Sequence, residues 1–159
     1  MSLIVVGLSH HSAPVGVRER FVFDREAAAG VLRELTASGV ASEAVVLSTC
    51  NRTEFYLVEV ERGNGGAKAG GRTGNGAVPS ADGLPSAPGR PGGAVDPHDP
   101  APAVQAVLRL FSDRAGMSPE EASTYIYCHR DRRAVQHLFR VVTSLDSMIL
   151  GEAQIQGQV

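Results

Sequence analysis

Between Arg62 and Pro100 the chain stops reading like a folded protein, and this limits what the remainder can build. Of these 39 residues, 17 are Gly or Pro, and apolar periodicity almost vanishes. Such a stretch buries too little apolar surface to offset the entropy of ordering it, so 62–100 is expected to be a disordered insertion. Its one glycine-rich run, Gly63-Asn64-Gly65-Gly66-Ala67-Lys68, has Lys68 where a dinucleotide fingerprint needs its third glycine. No strand and helix pattern flanks that run either. About 120 residues remain, in two blocks, 1–61 and 101–150, with 151–159 opening a further helical pattern. That last pattern has no stop signal, which predicts a piece of a longer protein.

In the first block, Leu3 to Leu8 is a short apolar run and a predicted strand. Asp24 to Ser38 predicts a helix: Asp24 can cap it, Ala27, Val31, Leu32 and Leu35 form an apolar stripe, and Gly39 stops it. Glu43 to Thr49 and Thr53 to Val60 read as two strands joined by a turn at Cys50, hence antiparallel. In the second block, Ala103 to Ala115 predicts a helix with Gly116 as its stop, and Ser118-Pro119-Glu120-Glu121 a capped helix start. Thr124 to Cys128 is β-prone, and Arg130 to Met148 reads as one long helix. The order matches an α+β fold of the ferredoxin-like, split β-α-β type. It predicts a four-stranded antiparallel sheet with helices on one face plus a C-terminal helical segment.

A formal net charge of −2 sets up no strong field for nucleic acid or membrane, so any basic surface must be local. Two cysteines, Cys50 and Cys128, do not make a disulfide scaffold and fit a reducing compartment, the cytoplasm. No apolar run approaches the roughly 18 residues of a spanning helix. The N-terminus reads as a strand rather than a signal peptide.

Cys50 sits at the mouth of a strand with Arg52 two residues on. A nearby guanidinium raises the population of thiolate, which is the nucleophilic form. From the residues alone a buried strand-end cysteine reads equally well. Arg52 reads as a bidentate carboxylate anchor or as the partner of Glu54 in an ion pair. Thr49 and Asn51 can hydrogen-bond a ligand or simply shape the turn. His137 alone reads as a satisfied core residue. His10, His11, Cys50, Cys128 and His129 match no zinc spacing, so no metal is expected.

Three stretches together resemble the glutamyl-tRNA reductases. They are Gly7-Leu8-Ser9-His10-His11-Ser12-Ala13-Pro14-Val15 with Arg18-Glu19, Ser48 to Tyr56 around Cys50, and His137-Leu138-Phe139-Arg140 through Leu145 to Gln158. The resemblance implies that Cys50 attacks the ester of glutamyl-tRNA to form a thioester, with His137 as a second catalytic residue. It implies that NADPH then reduces the thioester to glutamate-1-semialdehyde, for tetrapyrrole synthesis. The NADPH site, and a dimerisation domain that would make a homodimer, belong to parts of the family's chains that have no counterpart here. The implied substrate contacts are Thr49, Asn51, Arg52, Ser147, Glu152, Ala153, Gln154 and Gln158. A downstream aminotransferase is an implied partner. The chain departs from the family at Ser144, usually Gly, at Ala153, often Pro, and in the length of its insertion. Two other readings compete: a non-catalytic RNA- or ligand-binding ferredoxin-like module, and a redox sensor in which Cys128 resolves oxidised Cys50.

Overall fold

A computed structural model describes residues 1–60, 95–99 and 101–143. The expected helix beyond Thr143, the helical pattern at 151–159, and most of the expected insertion lie outside these residues, as do Ser147, Glu152, Ala153, Gln154 and Gln158.

Four strands form one sheet: β1 (Ser2–Ser9), β2 (Ala41–Ser48), β3 (Arg52–Glu59) and β4 (Tyr127–Arg130), in the order β2-β3-β1-β4. Every neighbouring pair is antiparallel. This is the predicted split β-α-β sheet. Side chains alternate between its faces. Ile4, Val6, Leu8, Phe55 and Leu57 enter the main core, beneath α2 (Arg25–Ala37) and α3 (Pro102–Ala115). Val5, Leu47 and Tyr56 point the other way and pack on Ala134 and Val141 of α5 (Arg132–Val142). The C-terminal helical segment therefore covers the second face.

Local chemistry explains the boundaries. Asp24 caps α2, its carboxylate accepting from the Ala27 N–H at 2.8 Å, and Gly39 follows at φ 68. Gly116 ends α3 in the left-handed conformation at φ 63, where glycine carries no Cβ penalty. A short helix, α1 (Val15–Arg18), follows the loop after β1, and α4 (Pro119–Ser123) starts at the Ser118 cap.

Besides a later start for β4, at Tyr127 rather than Thr124 because the Thr124 and Tyr125 N–H groups close the turn after α4, the structure departs from expectation in two places. The last helix begins at Arg132, not Arg130, because Arg130 still pairs with Ile4 in the sheet. Asp131, at φ 48, donates its N–H to the Leu3 carbonyl at 2.7 Å and turns the chain from the edge strand onto the second face. The second departure lies at the end of the expected insertion. Val95 is 4% exposed, belongs to the main core, and donates its N–H to Ile126 O at 3.1 Å. Asp99 accepts from the Arg130 Nη2 group at 2.8 Å on both carboxylate oxygens. One valine among glycines and prolines carries no periodicity, so composition does not reveal this anchor.

Candidate active site

The turn between β2 and β3 presents Cys50. Thr49 builds it: its N–H donates to Arg52 O at 2.8 Å, and its Oγ1 accepts from the N–H groups of Asn51 and Arg52 at 3.2 Å each. This is a side-chain-mimicked turn of the Ser/Thr type. The His10 N–H donates to the Asn51 carbonyl at 2.9 Å, tying the turn to the loop after β1. Held this way, Cys50 is exposed. A cation also lies close: Arg18 donates from Nε to the Cys50 carbonyl at 3.4 Å and from Nη1 to the Ala13 carbonyl at 2.9 Å.

Arg52 points elsewhere. It is 2% exposed and lies on the α5 side of the sheet, its Nη1 donating to Glu54 Oε1 at 2.9 Å. Glu54, fully buried, is the centre of a network. Its Oε2 accepts from the Tyr56 hydroxyl at 2.6 Å. Its Oε1 also accepts from the Tyr127 hydroxyl and meets His137 Nε2 at 2.8 Å. His137, 7% exposed, faces the sheet from α5 together with Ala134 and Val141. The His129 ring lies 4.7 Å from the His137 ring.

Burial alone would raise the Glu54 carboxyl, but the hydrogen bond from His137, the Arg52 charge and the Tyr127 hydroxyl outweigh it and lower its pKa to about 2. Glu54 is therefore an ionised acceptor. Burial, then the Glu54 charge, pushes the Tyr127 hydroxyl well above the usual tyrosine range, so it stays a donor. Burial lifts the Cys128 thiol to about 11.

A family model described as "Glutamyl-tRNAGlu reductase, N-terminal domain" matches residues 6–159. The chain belongs to this family. It is 36% identical over 159 residues to the glutamyl-tRNA reductase of Syntrophotalea carbinolica, covering 100% of this chain and 27% of that protein. It is 37% identical to that of Rubrobacter xylanophilus, covering 100% of this chain and 28% of that protein. Among solved structures, the glutamyl-tRNA reductase from Methanopyrus kandleri superposes with a TM-score of 0.55 at 22% identity, over 98% of this chain and 26% of that one. The chain thus spans about a quarter of the length of the relatives it matches.

Within this glutamyl-tRNA reductase domain, the structure brings Arg52 and His137 together on Glu54 and sets Thr49, Cys50 and Asn51 in one turn. Two residues escape a sequence reading. Glu54 enters it only as an ion-pair partner, and Arg18 only as part of a matching stretch. The structure also weighs against the redox-sensor reading and against RNA stacking on the sheet. Cys128 faces the main core on edge strand β4, two strand spacings from β3. At about 4.8 Å per spacing, it is roughly 10 Å from the Cys50 end of β3 at the nearest, beyond the Cα separation of a disulfide. Phe55 and Tyr56 are buried beneath helices on opposite faces, so the sheet offers no open aromatic platform for RNA bases. Among the described residues no helix is long and apolar enough to cross a membrane.

Proposed function

We propose that this domain supplies the acyl-accepting thiol of an NADPH-dependent glutamyl-tRNA reductase of the cytoplasm, acting in tetrapyrrole synthesis. The observation that carries the reading is the exposed Cys50 on a turn cross-braced by Thr49, Asn51 and His10. The Cys50 thiolate attacks the ester carbonyl carbon of glutamyl-tRNA. A carbon–sulfur bond forms, the carbon–oxygen bond to the 3′ ribose breaks, and the departing oxygen takes its electron pair and a proton. Sulfur donates less electron density to the carbonyl than an ester oxygen, so the thioester is the better hydride acceptor, which favours Cys over Ser here.

Arg52 is the anchor for the substrate's side-chain carboxylate. Because Arg52 is now covered, a ligand must displace that cover to reach it. Thr49 and Asn51 line the acyl site, and His137 supports activity from α5. Ser147, Glu152, Ala153, Gln154 and Gln158 belong to the proposed substrate set on the resemblance. NADPH supplies the hydride when bound in the longer protein. Among the described residues no glycine fingerprint opens a helix, so these residues do not fit a dinucleotide. The homodimer and the aminotransferase partner are likewise proposed for the longer protein.

Mass spectrometry of this chain quenched after mixing with glutamyl-tRNA tests the thiol step. A glutamyl adduct on Cys50 that disappears in Cys50→Ser is expected, with no semialdehyde formed. No adduct on the wild type, or the same adduct on Cys50→Ser, overturns the mechanism.

A further inference from the structure

Glu54 accepts from four donors: Arg52 Nη1, Tyr56 Oη, Tyr127 Oη and His137 Nε2. An ionised carboxylate can only accept, so the His137 Nε2 atom carries the hydrogen in this contact, an assignment made from the network. While the contact holds, that nitrogen has no hydrogen to offer a substrate.

We propose that Glu54, held by Tyr56, Tyr127 and His137, is the positioning residue for Arg52, and that this network sets the site's preference for an aminoacyl group with a side-chain carboxylate over the isosteric amide. The proposal rests on the anchoring role assigned to Arg52 above. A guanidinium on a flexible stem selects by direction: its N–H fork matches two carboxylate oxygens. An amide in the same place turns an N–H₂ group toward those donors and leaves polar atoms unpaired, which is a strong basis for rejection. That discrimination is lost if the fork swings. Three donors arriving from β3, β4 and α5 lock the carboxylate that holds Arg52.

The test uses the longer protein that contains this domain, with amide-linked glutamyl- and glutaminyl-3′-amino-3′-deoxyadenosine as uncleavable probes. Three quantities are measured: the ratio of the two dissociation constants, adduct formation from glutamyl-tRNA, and alkylation of Cys50 by iodoacetamide. His137→Leu is expected to lower the glutamyl preference about tenfold, the scale of one hydrogen bond to a charged group. His137→Gln, whose side-chain N–H can reach Glu54, is expected to restore most of it. The alkylation rate is expected to stay within about twofold in both variants, since neither substitution alters the exposed thiol. Glu54→Gln should remove the preference too; should it fail to fold because buried Arg52 loses the Glu54 charge, the His137 pair still decides. An unchanged preference in His137→Leu with slower adduct formation alone overturns the proposal and makes His137 a participant in the reaction. So does a His137→Gln variant as impaired as His137→Leu, or a wild type without glutamyl preference. A wild type that binds selectively but forms no Cys50 adduct overturns the thiol mechanism and leaves the positioning role standing, provided that His137→Leu lowers the selectivity.

Discussion

Tyr127 on β4 reaches over Gly7 to donate its hydroxyl hydrogen to Glu54 on β3. The register makes this reach possible. Gly7 of β1 stands opposite Glu54 on one side and opposite Tyr127 on the other. The three residues form one rung of the sheet, continued on β2 by Leu47. A side chain at the middle of that rung would occupy the space the hydrogen bond crosses. A Cβ built on Gly7 would lie 2.4 Å from Thr53 O and 2.8 Å from Glu54 Cγ.

Gly7→Ala is therefore expected to destabilise the domain by about 3 kcal/mol, since a packed backbone cannot yield to a new methyl group. Gly30→Ala is the matched control. Gly30 lies within α2 with nothing inside 4 Å of an added Cβ, so alanine there should stabilise by roughly 0.5–1 kcal/mol. Urea unfolding of both variants checks this pair. A Gly7→Ala midpoint at or above wild type would contradict the close approach.

Acid should reveal the Glu54 network. The Glu54 pKa is lowered from 4.5 to about 2 in the fold. A depressed carboxyl contributes stability that is fully present above its unfolded pKa and lost as pH falls through its folded one. The window thus runs from about pH 5 down to about pH 2, with on the order of 3 kcal/mol at stake. Chemical denaturation at a series of pH values should show wild-type stability falling across this window more steeply than that of Glu54→Gln. The variant should begin from a lower value at neutral pH, because buried Arg52 then loses the Glu54 charge beside it. Parallel pH profiles for the two proteins would remove Glu54 from the account.

The two cysteines should differ sharply toward an alkylating reagent. Cys50 is exposed, whereas burial raises the half-buried Cys128 thiol to about 11. At pH 8 only about one Cys128 in a thousand is thiolate, before access is considered. Brief iodoacetamide treatment followed by peptide mass mapping should label Cys50 and spare Cys128. Equal labelling of the native protein would mean that Cys128 is not held in the core.

Much of the fold is legible from local patterns. The Asp24 cap, the Gly116 stop and the strand–turn–strand around Cys50 are each written in a few adjacent residues. The Glu54 site is not local. Arg52, Glu54 and Tyr56 alternate with Thr53, Phe55 and Leu57, which on period two reads as a solvent face backing an apolar one. What buries that polar face is α5, and two of the four donors to Glu54 come from 73 and 83 positions away. The informative signal was the density of hydrogen-bonding groups on one strand face, which open solvent does not require. The Val95 anchor was hidden for a different reason, since a single apolar residue has no period.

That anchor supports a last expectation. Residues 95–99 are fastened at three points: the Val95 N–H on Ile126, the Pro97 and Asp99 carbonyls accepting from Gln105 Nε2 at 2.8 and 3.0 Å, and the Asp99 carboxylate on Arg130, which also lies 3.9 Å from Glu59. The Arg130 side chain is 37% exposed, so water screens the pair, and Asp99→Ala should lower global stability by under about 1 kcal/mol. Its local effect should be clearer. Without the Asp99 tether the segment opens more often than the whole domain unfolds, and the Val95 amide is expected to exchange with deuterium about fivefold faster. The amides of β1 and β3, buried at the centre of the sheet, should keep their wild-type rates. A Val95 amide that exchanges at the wild-type rate in Asp99→Ala would show that the valine's packing and the Gln105 bonds fasten this segment without the Arg130 pair.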